Sequence, residues 1–209
     1  MKFTEGYWEK SERANASHAM QAFIVEEIPN GMQIVAPFHI ITDRSGALDV
    51  GTITIEFTAI RKDVISVRSW HFEGYQRKEP RFELNKDMQD VDVEITDEKA
   101  IMTAGRMQVC VDRKDFKIEY KADGKVLTTC GFRNIGYMQY DRSNSTKFPE
   151  SNYMYSDYTP YMNTELSLAP GECVYGMGER FTSFVKNGQV VDCWNEDGGT
   201  ASQISYKNI

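Results

Sequence analysis

Basic residues are too few for a polyanion-binding protein: Lys and Arg number 24 against 31 Asp and Glu, a net charge of −7. Phosphate recognition needs concentrated Lys and Arg, so nucleic acid is excluded as a partner, and so is an anionic membrane surface. No apolar run approaches the roughly 18 residues of a membrane-spanning helix. The first ten residues carry a lysine with no apolar stretch behind it, so no signal peptide is read and a cytoplasmic protein is expected. Cysteine is scarce and scattered. Cys110, Cys130, Cys173 and Cys193 form no C-x-x-C pair and have no nearby His pair, so neither a zinc site nor any other metal is expected. With 209 residues, 41% of them hydrophobic, the chain can bury a core without disulfide staples, and its thiols are expected to be free and buried or partly buried. His18, His39 and His71 show neither triad nor metal spacing. No stretch of ten or more residues carries apolar positions at helical spacing.

Strand patterns fill the chain instead. Thr52 to Thr58 alternates strictly, with Ile53, Ile55 and Phe57 on one face and Thr52, Thr54, Glu56 and Thr58 on the other, which is a strand with one wet face. Ala22–Ile28 and Met32–Phe38 flank Pro29-Asn30-Gly31, a hairpin signal because Asn and Gly tolerate positive φ. Val64 to Trp70 is rich in β-branched residues. Val91, Val93 and Ile95, then Met107, Val109 and Val111, alternate with polar neighbours. Phe116, Ile118 and Tyr120 lead through Asp123-Gly124 to Val126-Leu127, a second hairpin, and Pro170-Gly171 marks a turn before a last short strand at Val174-Tyr175. Many short strands with frequent turns predict an all-β fold, an antiparallel β-sandwich.

Two segments break this rhythm. Arg142 to Thr164 is polar and holds Tyr153, Tyr155, Tyr158 and Tyr161. It reads as an ordered surface loop whose rings pack on the sandwich, with a sugar-stacking platform as the functional alternative. Gly176 to Gly199 is richer in chemistry. Gly176 and Gly178 permit backbone conformations that a side chain forbids. Asn187-Gly188 is a tight turn, after which Trp194, Asn195, Glu196 and Asp197 gather a ring, an amide and two carboxylates ahead of Gly198-Gly199. Polar and aromatic groups on a glycine-hinged tip suit a polyhydroxylated ligand. The G-x-G is not a dinucleotide fingerprint, which needs a third Gly and a helix. Adjacent carboxylates are not a glycosidase pair either, since that pair must flank a sugar at about 5–5.5 Å for retention.

The run Val174-Tyr175-Gly176-Met177-Gly178-Glu179-Arg180-Phe181 resembles the Y-G-L-G-E-R-F motif of glycoside hydrolase family 31. Asn187-Gly188-Gln189, Trp194 through Thr200 and Tyr206-Lys207-Asn208-Ile209 continue the likeness in order. Gly6-Tyr7-Trp8 and His71-Phe72-Glu73-Gly74 are similar to the α-xylosidase branch. The resemblance implies a β-sandwich of the galactose-mutarotase-like type over residues 1–175. It further implies a loop that reaches the active site, with the start of further sandwich strands, over residues 176–209. A catalytic (β/α)₈ barrel is expected beyond Ile209. Both catalytic aspartates of the family lie on that barrel, so no catalytic residue is expected in this chain, which alone should be inactive.

By the same resemblance Asp197 matches the aspartate of the family's N-R-D motif, which contributes to the sugar site near the leaving group, and Trp194 is a weaker substrate-contacting candidate. Glu196 stands where the family often has arginine, a reversed charge beside the site. Without the family, Asp197 reads as a turn residue accepting from the amides of Gly198 or Gly199. The implied reaction is retaining hydrolysis of a terminal α-linked xylose from oligosaccharides, without metal or organic cofactor. The alternatives are an α-glucosidase of the same family and a free-standing carbohydrate-binding sandwich. An aldose epimerase would need a clustered His and carboxylate and is disfavoured. The implied partners are the chain's own barrel and the oligosaccharide. A sandwich cut before its last strands is expected to self-associate as a homo-oligomer, to pair edges between copies or to leave its C-terminal segment disordered.

Overall fold

A computed structural model describes residues 13–74, 82–141, 159–178 and 182–191 in full, and residues 4–5, 9–10, 158, 179–180 and 206–207 by their backbone. The strands are β1 (Thr4–Glu5), β2 (Glu9–Lys10), β3 (Ala14–His18), β4 (Ile24–Ile28), β5 (Gly31–Pro37), β6 (Thr52–Arg61), β7 (Val64–Trp70), β8 (Asp92–Ile95), β9 (Lys99–Ala104), β10 (Met107–Asp112), β11 (Lys117–Ala122), β12 (Lys125–Cys130), β13 (Ile135–Asp141), β14 (Tyr158–Thr164), β15 (Glu179–Arg180) and β16 (Tyr206–Lys207). Among the described residues the single helical element is one 3-10 turn, Ser45–Ala47. The chain forms two compact units, Glu12–Ser167 and the pair of segments Met1–Ser11 and Leu168–Ile209.

The larger unit is built from a four-stranded sheet, β4-β5-β6-β7, a five-stranded sheet, β12-β11-β10-β9-β8, and a three-stranded sheet, β14-β13-β3. Every pairing in them is antiparallel. Alternation fixes which side chains go inward. Ile53, Ile55, Phe57 and Ala59 of β6 are fully buried, while the residues between them are half-buried on the opposite face. Met32, Ile34 and Ala36 of β5 meet Ala100 and Met102 of β9 and Val109 and Val111 of β10 in one core. The two larger sheets thus bury each other's apolar faces, as a sandwich requires. Arg113 ties the strand ends together: its guanidinium donates to the carbonyls of Ala22, Phe23 and Thr96.

Four local expectations are corrected. The C-terminal part of the tyrosine-rich segment is not loop: Tyr158–Thr164 pairs with Ile135–Asp141 along its whole length. Tyr153 and Tyr155 lie outside the described residues. Val174-Tyr175 is not a strand; at Val174 its amide bonds the Asn187 side chain and its carbonyl the Lys186 amide. Phe116 does not open β11. It is buried in the preceding turn at φ 45°, where Asp112 Oδ1 accepts from the amides of Lys114 and Asp115. Finally, Cys110 and Cys130 are partly buried and buried free thiols, but Cys173 is exposed. Burial pushes the Cys130 thiol up to about 11.

The outer face of the five-stranded sheet is ionic. Lys117 and Lys121 both reach Glu119, at 2.7 and 3.0 Å, and together hold its carboxyl at about 2. A carboxyl lowered in the folded state stabilises the fold above its ordinary value near 4.5 and loses that contribution as pH falls toward 2. Glu119 is partly buried, at 28% exposure, but the ion pairs lie on the outer face of the sheet, so we expect Glu119→Gln to cost at most about 1 kcal/mol at pH 7. The difference from wild type should vanish near pH 2, as read by urea midpoints at both pH values; a constant difference would assign the loss to packing.

Candidate functional site

The smaller unit carries the motif-bearing segment. It enters through a turn at Ala169–Glu172, where the Glu172 amide donates to the Ala169 carbonyl at 3.0 Å and Gly171 sits at φ 81°. Pro at the second and Gly at the third position are what a type II turn requires. The Glu172 carboxylate reinforces the turn by accepting from the Ala169 amide at 2.8 Å.

Beyond the turn, the chain is held by one asparagine. Asn187 Oδ1 accepts from the Val174 amide at 2.8 Å, and Asn187 Nδ2 donates to the Glu172 carbonyl at 2.9 Å. The Lys186 amide adds a third bond, to the Val174 carbonyl at 2.8 Å. An amide side chain that both donates and accepts thus replaces the strand partner that Val174-Tyr175 would otherwise need. Asn187-Gly188 is the expected tight turn: the Gln189 amide donates to the Lys186 carbonyl at 3.0 Å and Gly188 is at φ 72°.

Lys186 is the one buried polar or charged side chain among the described residues, at 8% exposure. Sequence reasoning passed over it, because a lone lysine in a polar stretch reads as a solvated one. Its ammonium donates to Thr182 Oγ1 at 3.0 Å and to the Ser183 carbonyl, so the 182–186 stretch closes on itself. Gln189 Nε2 donates to the Val185 carbonyl at 2.6 Å. Two exposed rings of this segment, Tyr175 and Phe184, meet with centroids 5.1 Å apart.

Gly176, Met177 and Gly178 follow with φ of 96°, 70° and 78°. Three successive left-handed residues turn the chain sharply, and the non-glycine one costs about 1–2 kcal/mol of conformational preference. The chain then enters β15, which pairs antiparallel with β16 through Glu179↔Lys207 and Arg180↔Tyr206. Trp194 and Asp197 fall between β15 and β16 in sequence and lie outside the described residues, together with Asn195, Glu196, Gly198 and Gly199.

The remaining sequence candidates are dispersed in the larger unit. His71 Nδ1 donates to the Thr52 carbonyl at 2.7 Å, and its ring packs against both Phe38 and Tyr137, at 5.2 and 4.4 Å. His39 Nε2 bonds the Gly46 carbonyl at 3.0 Å. Both are satisfied structural histidines. Among the described residues no three metal-ligating side chains come together, and no helix is long and apolar enough to cross a membrane.

Comparison with known proteins gives one consistent answer. Residues 54–209 match the family model of the glycosyl hydrolase 31 N-terminal galactose mutarotase-like domain. Alpha-xylosidase XylQ of Lactiplantibacillus pentosus is 34% identical over the whole chain, which spans 26% of that protein. An alpha-xylosidase of Emericella nidulans is also 34% identical over the whole chain, which spans 28% of it. The chain thus corresponds to about a quarter of the length of these relatives. Among solved structures, protein lmo2446 of Listeria monocytogenes EGD-e aligns over 84% of the chain and 14% of its own length, at TM-score 0.55 and 14% identity. The cycloalternan-forming enzyme of Listeria monocytogenes, solved with a pentasaccharide, aligns over the same shares, with the same score and identity. These two likenesses concern the fold alone.

Proposed function

We infer that this chain, which belongs to the glycosyl hydrolase 31 family through its N-terminal galactose mutarotase-like domain, is the non-catalytic front part of a longer, retaining α-xylosidase. The observation that carries the reading is the full-length match to two alpha-xylosidases that are both about four times as long. On this reading the groups that form and break the glycosyl-aspartate bond belong to the barrel of the whole protein. This chain supplies a wall of the sugar site. Its residues 181–205 lie in sequence between the paired strands β15 and β16. Asp197 is proposed to accept a hydrogen bond from a sugar hydroxyl, and Trp194 to offer a ring to the sugar or to the barrel. A carboxylate and an indole suit this task, because a pyranose presents hydroxyl donors at its rim and C–H groups on its faces.

The test is a substrate comparison on the full-length protein. It is expected to cleave an aryl α-xyloside with a kcat/KM at least about tenfold above that for the matching α-glucoside, a preference of about 1.4 kcal/mol in transition-state binding. The 209-residue chain alone should cleave neither. Preference for the glucoside would replace the xylosidase reading by an α-glucosidase of the same family.

A further inference from the structure

We propose that Tyr175, Phe184, Val185 and Val190 form an apolar docking surface on the smaller unit, and that its occupant is the part of the longer protein that follows this chain. The proposal rests on the reading that this chain is the front part of a longer protein, and not on which glycoside that protein cleaves. All four side chains are exposed, Phe184 at 78% and Val190 at 64%. The two rings meet with centroids 5.1 Å apart and planes inclined at 42°. The two valines flank one closed turn, in which the Gln189 amide donates to the Lys186 carbonyl and Gln189 Nε2 to the Val185 carbonyl. A single exposed apolar side chain needs no explanation, but a group of them on one hydrogen-bonded segment marks an interaction surface.

The polar side chains of the same segment are engaged within it. Asn187 bonds Val174 and Glu172, Lys186 bonds Thr182 and Ser183, and Gln189 bonds Val185. A sugar site needs the reverse, with polar groups converging on the ligand. Rings and valines turned outward suit a dry, apolar partner instead. The path of the chain selects that partner. β15 lies between the two rings in sequence and pairs with β16, so the chain returns at Tyr206–Lys207 to the segment that carries the surface. The two alpha-xylosidases that match the whole chain are about four times as long. Whatever follows β16 in such a protein begins beside the surface, and covering it closes only a short loop. A second copy would have to give up its translational and rotational freedom to bind there.

The experiment puts the photo-crosslinker benzoylphenylalanine in place of Phe184 and, separately, of Val190 in the full-length protein, and reads the products by gel and by mass spectrometry of the digest. Crosslinks within one polypeptide to peptides that follow residue 209 are expected from both positions. Crosslinks confined to residues 1–209, a product joining two copies, attachment to added oligosaccharide alone, or no product after full photolysis would each overturn the docking surface. A second measurement is the rate at which dilute protease cleaves the native full-length protein, which follows the population of opened states. Phe184→Asp is expected to raise that rate at least about tenfold, because it sets an unpaired charge against an apolar partner. Phe184→Leu, which keeps an apolar side chain, should raise it less than about threefold. Wild-type rates in both variants would place Phe184 in solvent and overturn the proposal. A full-length product that ends at Ile209 would instead overturn the reading beneath it.

Discussion

Gly31→Ala is expected to destabilise the protein by about 3 kcal/mol or more, at the upper end of what overpacking a core costs. Gly31 opens β5 and pairs with both Ile28 and Thr58. A Cβ built on it would fall 1.9 Å from the Phe57 carbonyl oxygen, 2.9 Å from the Phe57 carbonyl carbon and 3.1 Å from Thr58 Cα. All three atoms are backbone, so no side-chain rotation relieves the clash. The strands must part or shift, and Phe57, fully buried at the centre of the sandwich, must move with them. For a protein of this size each 1 kcal/mol lowers the melting temperature by roughly 2–4 °C, which puts the expected drop at about 6–12 °C. Gly131→Ala is the control. No atom lies within 4 Å of a Cβ at Gly131 and its φ is not left-handed, so it should be neutral or stabilise by a few tenths of a kcal/mol through the unfolded chain. If urea melts give the two variants equal stability, the close approach of β5 and β6 at Gly31 is wrong.

That glycine also shows where sequence reading reached the right element for an incomplete reason. The Asn30-Gly31 pair announces a hairpin because both residues tolerate positive φ. Only Asn30 adopts it, at φ 57°; the turn is Pro29-Asn30, and Gly31 is already in the strand, needed for its missing side chain. The period-two runs were legible throughout: the alternation read at Thr52–Thr58 is the first part of β6, and the Val91–Ile95 and Met107–Val111 patterns are β8 and β10. Such runs expose one face and bury the other, so the sequence itself carries the geometry. The all-β antiparallel fold follows from them.

What hid were the elements decided by partners far along the chain. Tyr158–Thr164 contains Pro160 and no clean alternation, yet it is a strand, because proline is tolerated on the sheet edge that β14 forms. Val174-Tyr175 has strand-forming residues, but the Val174 amide bonds the Asn187 side chain and the Val174 carbonyl the Lys186 amide, in place of a strand partner. Lys186 gave no signal, since nothing local tells a buried lysine from a solvated one. The site was legible only in part. Composition and glycine spacing single out the 176–199 stretch, but a role for Asp197 came from resemblance, because a carboxylate in a turn looks the same whether it caps amides or holds a sugar.

Those two roles separate cleanly by experiment. In the full-length protein Asp197→Ala is expected to lower kcat/KM for an α-xyloside by about 10- to 150-fold. A hydrogen bond to a charged group is worth roughly 1.5–3 kcal/mol, and each 1.36 kcal/mol of lost transition-state stabilisation is tenfold in rate. On the reading that Asp197 spends its carboxylate on the sugar and not on the fold, stability should hardly change, within about 0.5 kcal/mol. The bonds that join Glu172, Val174, Lys186 and Asn187 are made by those residues themselves. A carboxylate that only caps turn amides predicts the opposite pattern. Its loss would cost about 0.5–2 kcal/mol of stability, as removal of a comparable capping side chain does, with unchanged kinetics in the protein that remains folded. Asp197→Asn refines the answer. It keeps the shape and an acceptor oxygen but removes the charge, so a capping role would be largely preserved. A sugar-binding role would lose the charge-assisted part of its bond, which is about half of it. We therefore expect kcat/KM for Asp197→Asn to fall between wild type and Asp197→Ala, with an unaltered melting temperature. Wild-type kinetics in both variants, accompanied by a lowered melting temperature in Asp197→Ala alone, would remove Asp197 from the sugar site and return it to the turn.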